Sequence, residues 1–322
     1  MRREVIVNAL AGVVVGALYG WLLQRVYMAD QNRDLAGVLT LTFLLVVPAV
    51  AGVLCIVVGE RRQRHSWPAR IFLPWVSCLC LFAAAIAVGF YALICLILAM
   101  PVFLLMASLG GVIGGVIGDA VRGRGPVTPA LALGLLPFVL VPVERQFPAL
   151  DAHRTVETSI DVAADAGAVW RQISRVPPIQ AHEQRPSLFH LLRIPRPLEA
   201  TLDSSGVGGR RHGLFESELR FVETITVWEP GRELAFAIRA DTSGVPPGPT
   251  YDLRLIGSRY FDVYQARYRL EPLGPNRTRL HLSSTHRLTT RFNGYAGLWT
   301  DAILRDFQDY VLRVVKSRAE AA

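Results

Sequence analysis

NGYAGLWTDAILRDFQDYVLRVVKSR, residues 293–318, is the stretch on which the fold turns. Tyr295, Trp299, Ile303, Phe307, Val311 and Val314 or Val315 recur at three or four residues. Asp301, Arg305, Asp309, Arg313 and Lys316 occupy the positions between. This is an amphipathic helix with one apolar stripe to bury. The surface that could bury it stands upstream as a series of short strands. Arg210–Leu219 alternates around Phe215, and Phe221–Trp228 places Phe221, Ile225 and Val227 on one face. Glu229-Pro230-Gly231-Arg232 is a tight turn leading into Glu233–Ala240. Tyr260–Leu270 and Thr278–Leu288 form a last hairpin through Leu273-Gly274-Pro275-Asn276. Successive strands joined by short turns make an antiparallel sheet.

Further upstream, Val156, Thr158, Ile160 and Val162 share one face of a first strand. Asp165 opens a short helix through Val169, Trp170 and Ile173, which Val176-Pro177-Pro178 ends. Ile179–Leu192 reads as helix, closed by Pro195 and Pro197. Ser204–Gly209 is a turn cluster, and the proline- and glycine-rich Gly244–Thr250 is a loop. The order is one strand, two short helices, about six antiparallel strands and one long C-terminal helix. That is an α+β domain in which a curved sheet holds a helix.

These residues resemble the SRPBCC superfamily, which includes START lipid-transfer domains, polyketide cyclases/aromatases and plant pathogenesis-related allergens. The resemblance rests on Ile160-Asp-Val-Ala-Ala-Asp165 leading to Val169-Trp170, and on Gly206-x-Gly208-x-x-Arg211. It continues in Trp228-Glu-Pro-Gly-Arg232 before Leu234-Ala-Phe236, in Thr278-Arg-Leu280 and in Tyr295-x-x-x-Trp299. It covers about residues 153–320. It implies a helix-grip fold with a deep apolar cavity between sheet and helix, taking a lipid, sterol, polyketide or other hydrophobic ligand. The superfamily shares no catalytic set, so the fold does not fix the function.

Residues 1–145 are of another kind. The chain has 322 residues, and its mean hydropathy of +0.34 comes from apolar runs in this segment. Five stretches approach the roughly 20 apolar residues that cross a bilayer. They are about residues 5–27, 35–58, 71–89, 98–121 and 127–143. The fifth has only 17 residues and carries Pro129, Pro137 and Pro142. Four or five crossings are therefore open, followed by a water-soluble domain over 151–320. Arg2 and Arg3 precede the first run, which is too long for a cleaved signal and reads as an anchor.

The formal net charge is +8, which raises nucleic acid as a partner. Residues 1–150 hold +5 of it, beside the apolar runs where a topology signal accounts for it. The soluble part has no basic stripe, so nucleic acid is excluded as a partner. Positive segments at Met1–Glu4, Glu60–Arg70 and Arg122–Arg124 mark the cytoplasmic side of a multi-pass protein of the cell (inner) membrane. The soluble domain is then extracytoplasmic if 127–143 crosses, and cytoplasmic if it does not.

Gly12, Gly16 and Gly20, and again Gly110, Gly114 and Gly118, make small-residue ladders. They predict close packing of the first and fourth runs on each other, or self-association of two copies. All four cysteines (Cys55, Cys78, Cys80, Cys95) lie in apolar runs, with no disulfide framework and no zinc spacing. No metal and no cofactor is expected.

Candidate cavity residues are Trp170, Phe215, Trp228, Phe236, Tyr264, Tyr268, Trp299, Ile303 and Phe307, with ordinary core packing as the plainer reading of each. Trp299 and Phe307 are the strongest, being on the covering helix. Glu216, Arg267 and His286 are the polar candidates inside the cavity. His281 and His286 are five apart on one strand and face opposite sides, so they share no metal. No Ser-His-Asp set, phosphate loop or HExxH helix is present. The leading expectation is a membrane-tethered domain that binds a lipid or other hydrophobic molecule. The alternatives are a cyclase/aromatase- or dehydratase-type enzyme, and a structural or sensory membrane protein with no small ligand.

Overall fold

The computed structural model describes residues 2–28, 40–60, 65–87, 93–120, 127–245 and 255–322. The predicted loop after Gly244 lies largely outside the described residues. So do the connection at 29–34 and the basic segment 122–124. The chain divides into two compact units, Met1–Ala149 and Leu150–Ala322.

The first unit is all helical: α1 (Arg2–Met28), α2 (Val47–Gly59, entered by a π-helical turn at Thr42–Val46), α3 (Trp67–Ala87), α4 (Leu93–Ala120) and α5 (Val127–Arg145). The first four are long and apolar enough to cross a membrane. Helix α2 is the buried centre, with Val50, Val53, Cys55, Ile56 and Val57 almost without exposure. The glycine ladders do not meet each other: Gly12, Gly16, Gly110 and Gly114 close on the backbone of α2, and Gly20 faces Leu81 of α3. A methyl group at Gly16 would stand 2.9 Å from the Ala51 carbonyl oxygen, and one at Gly114 would stand 2.8 Å from that of Val53. Contacts that close need a residue without Cβ.

The second glycine row of α4 has another cause. Gly111 faces the backbone of Arg70, and a methyl at Gly115 would stand 2.6 Å from the Arg70 guanidinium carbon. Arg70 is 1% exposed. Its Nε donates to Glu60 at 2.6 Å and its Nη1 to Asp119 at 3.0 Å. This ion-paired cluster joins the end of α2, the start of α3 and the end of α4. At the other end of α2, the Glu144 carboxylate accepts from the backbone N–H of Leu41 at 2.6 Å and of Thr42 at 2.9 Å. Helix α5 therefore starts after the Asp119 end of the bundle and finishes at the opposite end. Midway, the Tyr19 hydroxyl donates to the Gly134 carbonyl at 2.8 Å.

The second unit is one antiparallel sheet gripping one long helix. Its strands are β1 (Ala152–Val162), β2 (Pro197–Leu202), β3 (Arg210–Phe215), β4 (Arg220–Glu229), β5 (Glu233–Asp241), β6 (Phe261–Gly274) and β7 (Arg277–Leu288). The spatial order is β1-β7-β6-β5-β4-β3-β2. Between β1 and β2 lie α6 (Ala166–Ser174), a 3₁₀ turn at Ala181–Glu183 and the single turn α7 (Leu188–Leu191). Helix α8 (Asn293–Glu320) closes the chain. This is the helix-grip arrangement. Asp165 caps α6 by accepting from Gly167 and Ala168 N–H at 2.7 and 2.9 Å. Gly231 adopts φ +74° in the β4–β5 turn, where a side chain would be strained.

The core lies between the inner sheet face and the C-terminal half of α8. Val169, Ile173, Ile225, Leu234, Leu280 and Leu312 are each at most 1% exposed in it. Three readings of the sequence are corrected here. Ile179–Leu192 forms two single turns, not a continuous helix. Pro197, read as closing that helix, instead opens strand β2 at the sheet edge, where proline's missing donor does no harm. The strand predicted to Leu219 ends at Phe215, and Glu216–Glu218 is a 3₁₀ turn with Ser217 and Glu218 at positive φ.

Candidate functional site: the inner face under the C-terminal helix

Helix α8 is sealed in its second half and partly open in its first. Gln308, Tyr310, Leu312, Val314, Val315 and Ala319 are buried. Trp299, Ile303 and Phe307 are only half-buried, and Leu298 is 67% exposed. Opposite the open half, β3 and β4 present Phe215 and Phe221, also half-buried. The rings form a chain: Phe221 to Phe215 at 5.0 Å, Phe215 stacked on Phe307 at 5.9 Å, and Phe307 to Phe189 at 5.6 Å. Ile303, Ile179 and Ile194 pack beside them. The result is a half-buried aromatic patch beneath the first half of α8.

Of the predicted residues, the structure brings Phe215, Ile303 and Phe307 together here, with Trp299 one turn before Ile303. Trp170 and Trp228 pair edge to face at 5.1 Å and pack on the sealed core. Phe236 and Tyr268 lie inside that core, 1% and 5% exposed. Tyr264 is corrected. A bulge between Val263 and Gln265 leaves it unpaired and moves it off the inner face. Its hydroxyl instead lies 3.1 Å from His153 Nδ1. An extra residue in a strand reverses the alternation on which the sequence reading relied.

The polar candidates do not converge. Glu216 sits in the 3₁₀ turn and accepts from the Arg196 backbone N–H at 3.1 Å. Arg267 is on the outer sheet face, 3.4 Å from Glu233, beside a polar groove of about 270 Å³ that Thr155, Gln265, His281 and Thr285 also line. Sequence spacing cannot separate the two faces once a bulge intervenes. His286 does face inward, without exposure. Its partner on the helix is Thr300, at 3.2 Å, and Asp301 Oδ1 lies at 3.8 Å. The Asp301 carboxylate is held by Arg154, whose Nε donates at 3.0 Å. That pairing keeps Asp301 below the usual carboxylate range. Burial pushes the His286 imidazole down; Asp301 opposes this and Arg154 adds to it.

Two further polar groups on the inner face were given no place in the cavity by the sequence reading. Arg211 of β3 is 5% exposed, pairs with Glu223 of β4, and lies over the Phe236 ring at 5.1 Å. Burial pushes the nearby Tyr268 phenol up to about 12. Gln308 ties α8 to the sheet. It accepts from Thr158 Oγ1 at 2.7 Å and donates to the Val156 carbonyl at 3.1 Å and Ser284 Oγ at 3.0 Å. Both pairs are cross-strand or helix-to-strand, and register alone reveals them. Among the described residues, no group of three or more His, Cys, Asp or Glu side chains is placed to hold a metal ion.

No protein family matches the chain, and no curated protein matches it either. Solved structures do, over the C-terminal half. The ZhuI aromatase/cyclase from Streptomyces sp. R1128 is 18% identical, with a TM-score of 0.33 over 52% of this chain and 94% of that one. TTHA0849 from Thermus thermophilus is 17% identical, with a TM-score of 0.34 over 52% and 98%. Truncated norcoclaurine synthase from Thalictrum flavum is 16% identical, with a TM-score of 0.31 over 51% and 94%. At such scores the question of a ligand rests on the geometry of the aromatic patch itself.

Proposed function

We propose that the C-terminal unit binds a hydrophobic small molecule at the aromatic patch beneath the first half of α8, and that the helical unit holds it at a membrane. The observation that carries this is the half-buried aromatic wall of Phe215, Phe221 and Phe307. Soluble surfaces seldom leave contiguous large apolar side chains partly wet without an occupant. Glu216, Arg267 and His286 lie apart, and this favours binding over acid–base chemistry by an opposed pair.

The length and run of α5 support one side of the membrane for the binding unit. The helix has 19 residues, or about 28 Å at 1.5 Å per residue, close to the thickness of a hydrocarbon core. It starts after the end of the bundle that carries Arg70 and finishes at the other. The basic segments of the sequence adjoin the starting end, which orients it to the cytoplasm. The binding unit is then extracytoplasmic, and its lipid or lipid-like ligand is drawn from the bilayer surface, where tethering raises its effective concentration.

Two experiments test this. Native mass spectrometry of the full chain, released from detergent, shows a bound apolar molecule that Phe307→Arg removes; a ligand-free protein that takes up none defeats the binding reading. A phosphatase reporter fused after Arg318 is active outside the cytoplasm; activity of a cytoplasmic reporter at the same position defeats the fifth crossing.

A further inference from the structure

His286 carries a proton assignment that the packing dictates. Thr300 Oγ1 donates its hydrogen to the Gly297 carbonyl at 3.2 Å. A hydroxyl has one hydrogen to give, so towards His286 Nε2, at 3.2 Å, it acts as acceptor. The Asp301 carboxylate on the same side, at 3.8 Å, is also an acceptor. Nε2 therefore bears the ring hydrogen, and Nδ1 bears the lone pair. Nδ1 is buried and meets no donor among the described residues, which is a costly state for an acceptor. Arg154, the nearest cation among the described residues, is engaged with Asp301.

His286 lies at the open half of α8, since Thr300 and Asp301 follow Trp299 directly. The group over it is Phe261 at the start of β6, ring centroids 5.5 Å apart. Phe261 is itself half-buried, so part of its ring meets solvent. We propose that His286 Nδ1 is the acceptor for a hydroxyl on the bound hydrophobic molecule, so that the ligand is an amphipathic alcohol or phenol, admitted when the Phe261 ring swings aside. This rests on the binding reading above. The fixed tautomer gives the site its selectivity. A ligand hydroxyl finds a lone pair, whereas an ether, ketone or carboxylate brings a lone pair against a lone pair.

The test uses the full chain in detergent micelles with two probes, 2-naphthol and 2-methoxynaphthalene, which differ in the donor alone. Affinities are read by tryptophan quenching and corrected for partition of each probe into micelles. The expected result is roughly tenfold tighter binding of the naphthol, the step that one good hydrogen bond supplies. His286→Phe brings the two probes level without weakening the methoxy compound. His286→Asn, whose amide sits near the place of Nδ1, recovers part of the preference. With ¹⁵N-labelled histidine, the Nδ1 resonance shifts on adding naphthol and stays in place with the ether. Equal binding of both probes by the native protein overturns the hydroxyl assignment and leaves the binding reading standing. Preference for the naphthol that survives His286→Phe also overturns it. Binding of neither probe removes the binding reading and this inference together.

Discussion

The two halves of α8 are one continuous helix in two environments. From Gln308 to Ala319 its inner positions are buried in the core formed by α6 and the sheet. From Tyr295 to Phe307 the same stripe is half-exposed, and its polar neighbours Thr300 and Asp301 turn inward to His286 and Arg154. The first kind of surface holds the domain together. The second kind holds less and leaves room for something else. Hydrophobic periodicity is the same in both halves; what differs is how much sheet and helix stands opposite.

The largest test of that contrast is Leu312→Ala. Leu312 has no exposure, so its truncation costs about 3 kcal/mol in chemical unfolding of the C-terminal unit. Phe307→Ala costs half that or less, because the ring is already partly wet, yet it weakens ligand binding more than Leu312→Ala does. Equal stability losses at the two positions would erase the distinction between the halves.

Gln308 stands on the boundary. Gln308→Ala strands the Thr158 and Ser284 hydroxyls and the Val156 carbonyl, and costs about 2 kcal/mol in the same unfolding experiment. A loss below about 0.5 kcal/mol would mean that water replaces the amide.

The pH dependence comes next. His286 is held below its ordinary value of 6.5 in the folded protein. Between its folded and unfolded values the unfolded chain binds more protons, so stability is complete above about pH 6.5 and falls as pH drops through that window. Arg154, Asp301 and Thr300 face the ring and set the balance. His286→Phe flattens this part of the profile; an unchanged profile would show that another group titrates there. The smallest effect is at Leu298, 67% exposed. Leu298→Ser changes stability by less than about 0.5 kcal/mol, and a larger loss would mean that the open half is covered.

Much of this was legible in the residues. The apolar runs of the first unit, the Asp165 cap, the Gly231 turn, the β6–β7 hairpin and the stripe of α8 are local patterns, each set by contacts within a few residues. Phe215, Ile303 and Phe307, which lie on one aromatic patch, fall on locally periodic positions for the same reason. Tyr264 could not be placed, because a bulge reverses alternation without any mark in composition. Arg211 and Glu223 were not seen as a pair, because cross-strand neighbours lie 12 residues apart in sequence. Asp301 was placed on the solvent face by helical periodicity, and Arg154, from the other end of the domain, turns it inward.

The same division runs through the helical unit. Sequence alone determined that glycine ladders would allow close helix contact, since only a missing Cβ permits it. It did not determine the partner, which is α2 for most positions of both ladders and Leu81 of α3 for Gly20. The charge pattern marked which connections in the sequence are basic. Only the packed helices decided that α5 runs to the opposite end, because Glu144 must reach the backbone at Leu41 and Thr42. Local pattern specifies elements and the faces they must bury. Which faces meet, which stay half-open and which lone pair is left without a donor depend on side chains far apart in the chain, and these are set only when the tertiary structure is complete.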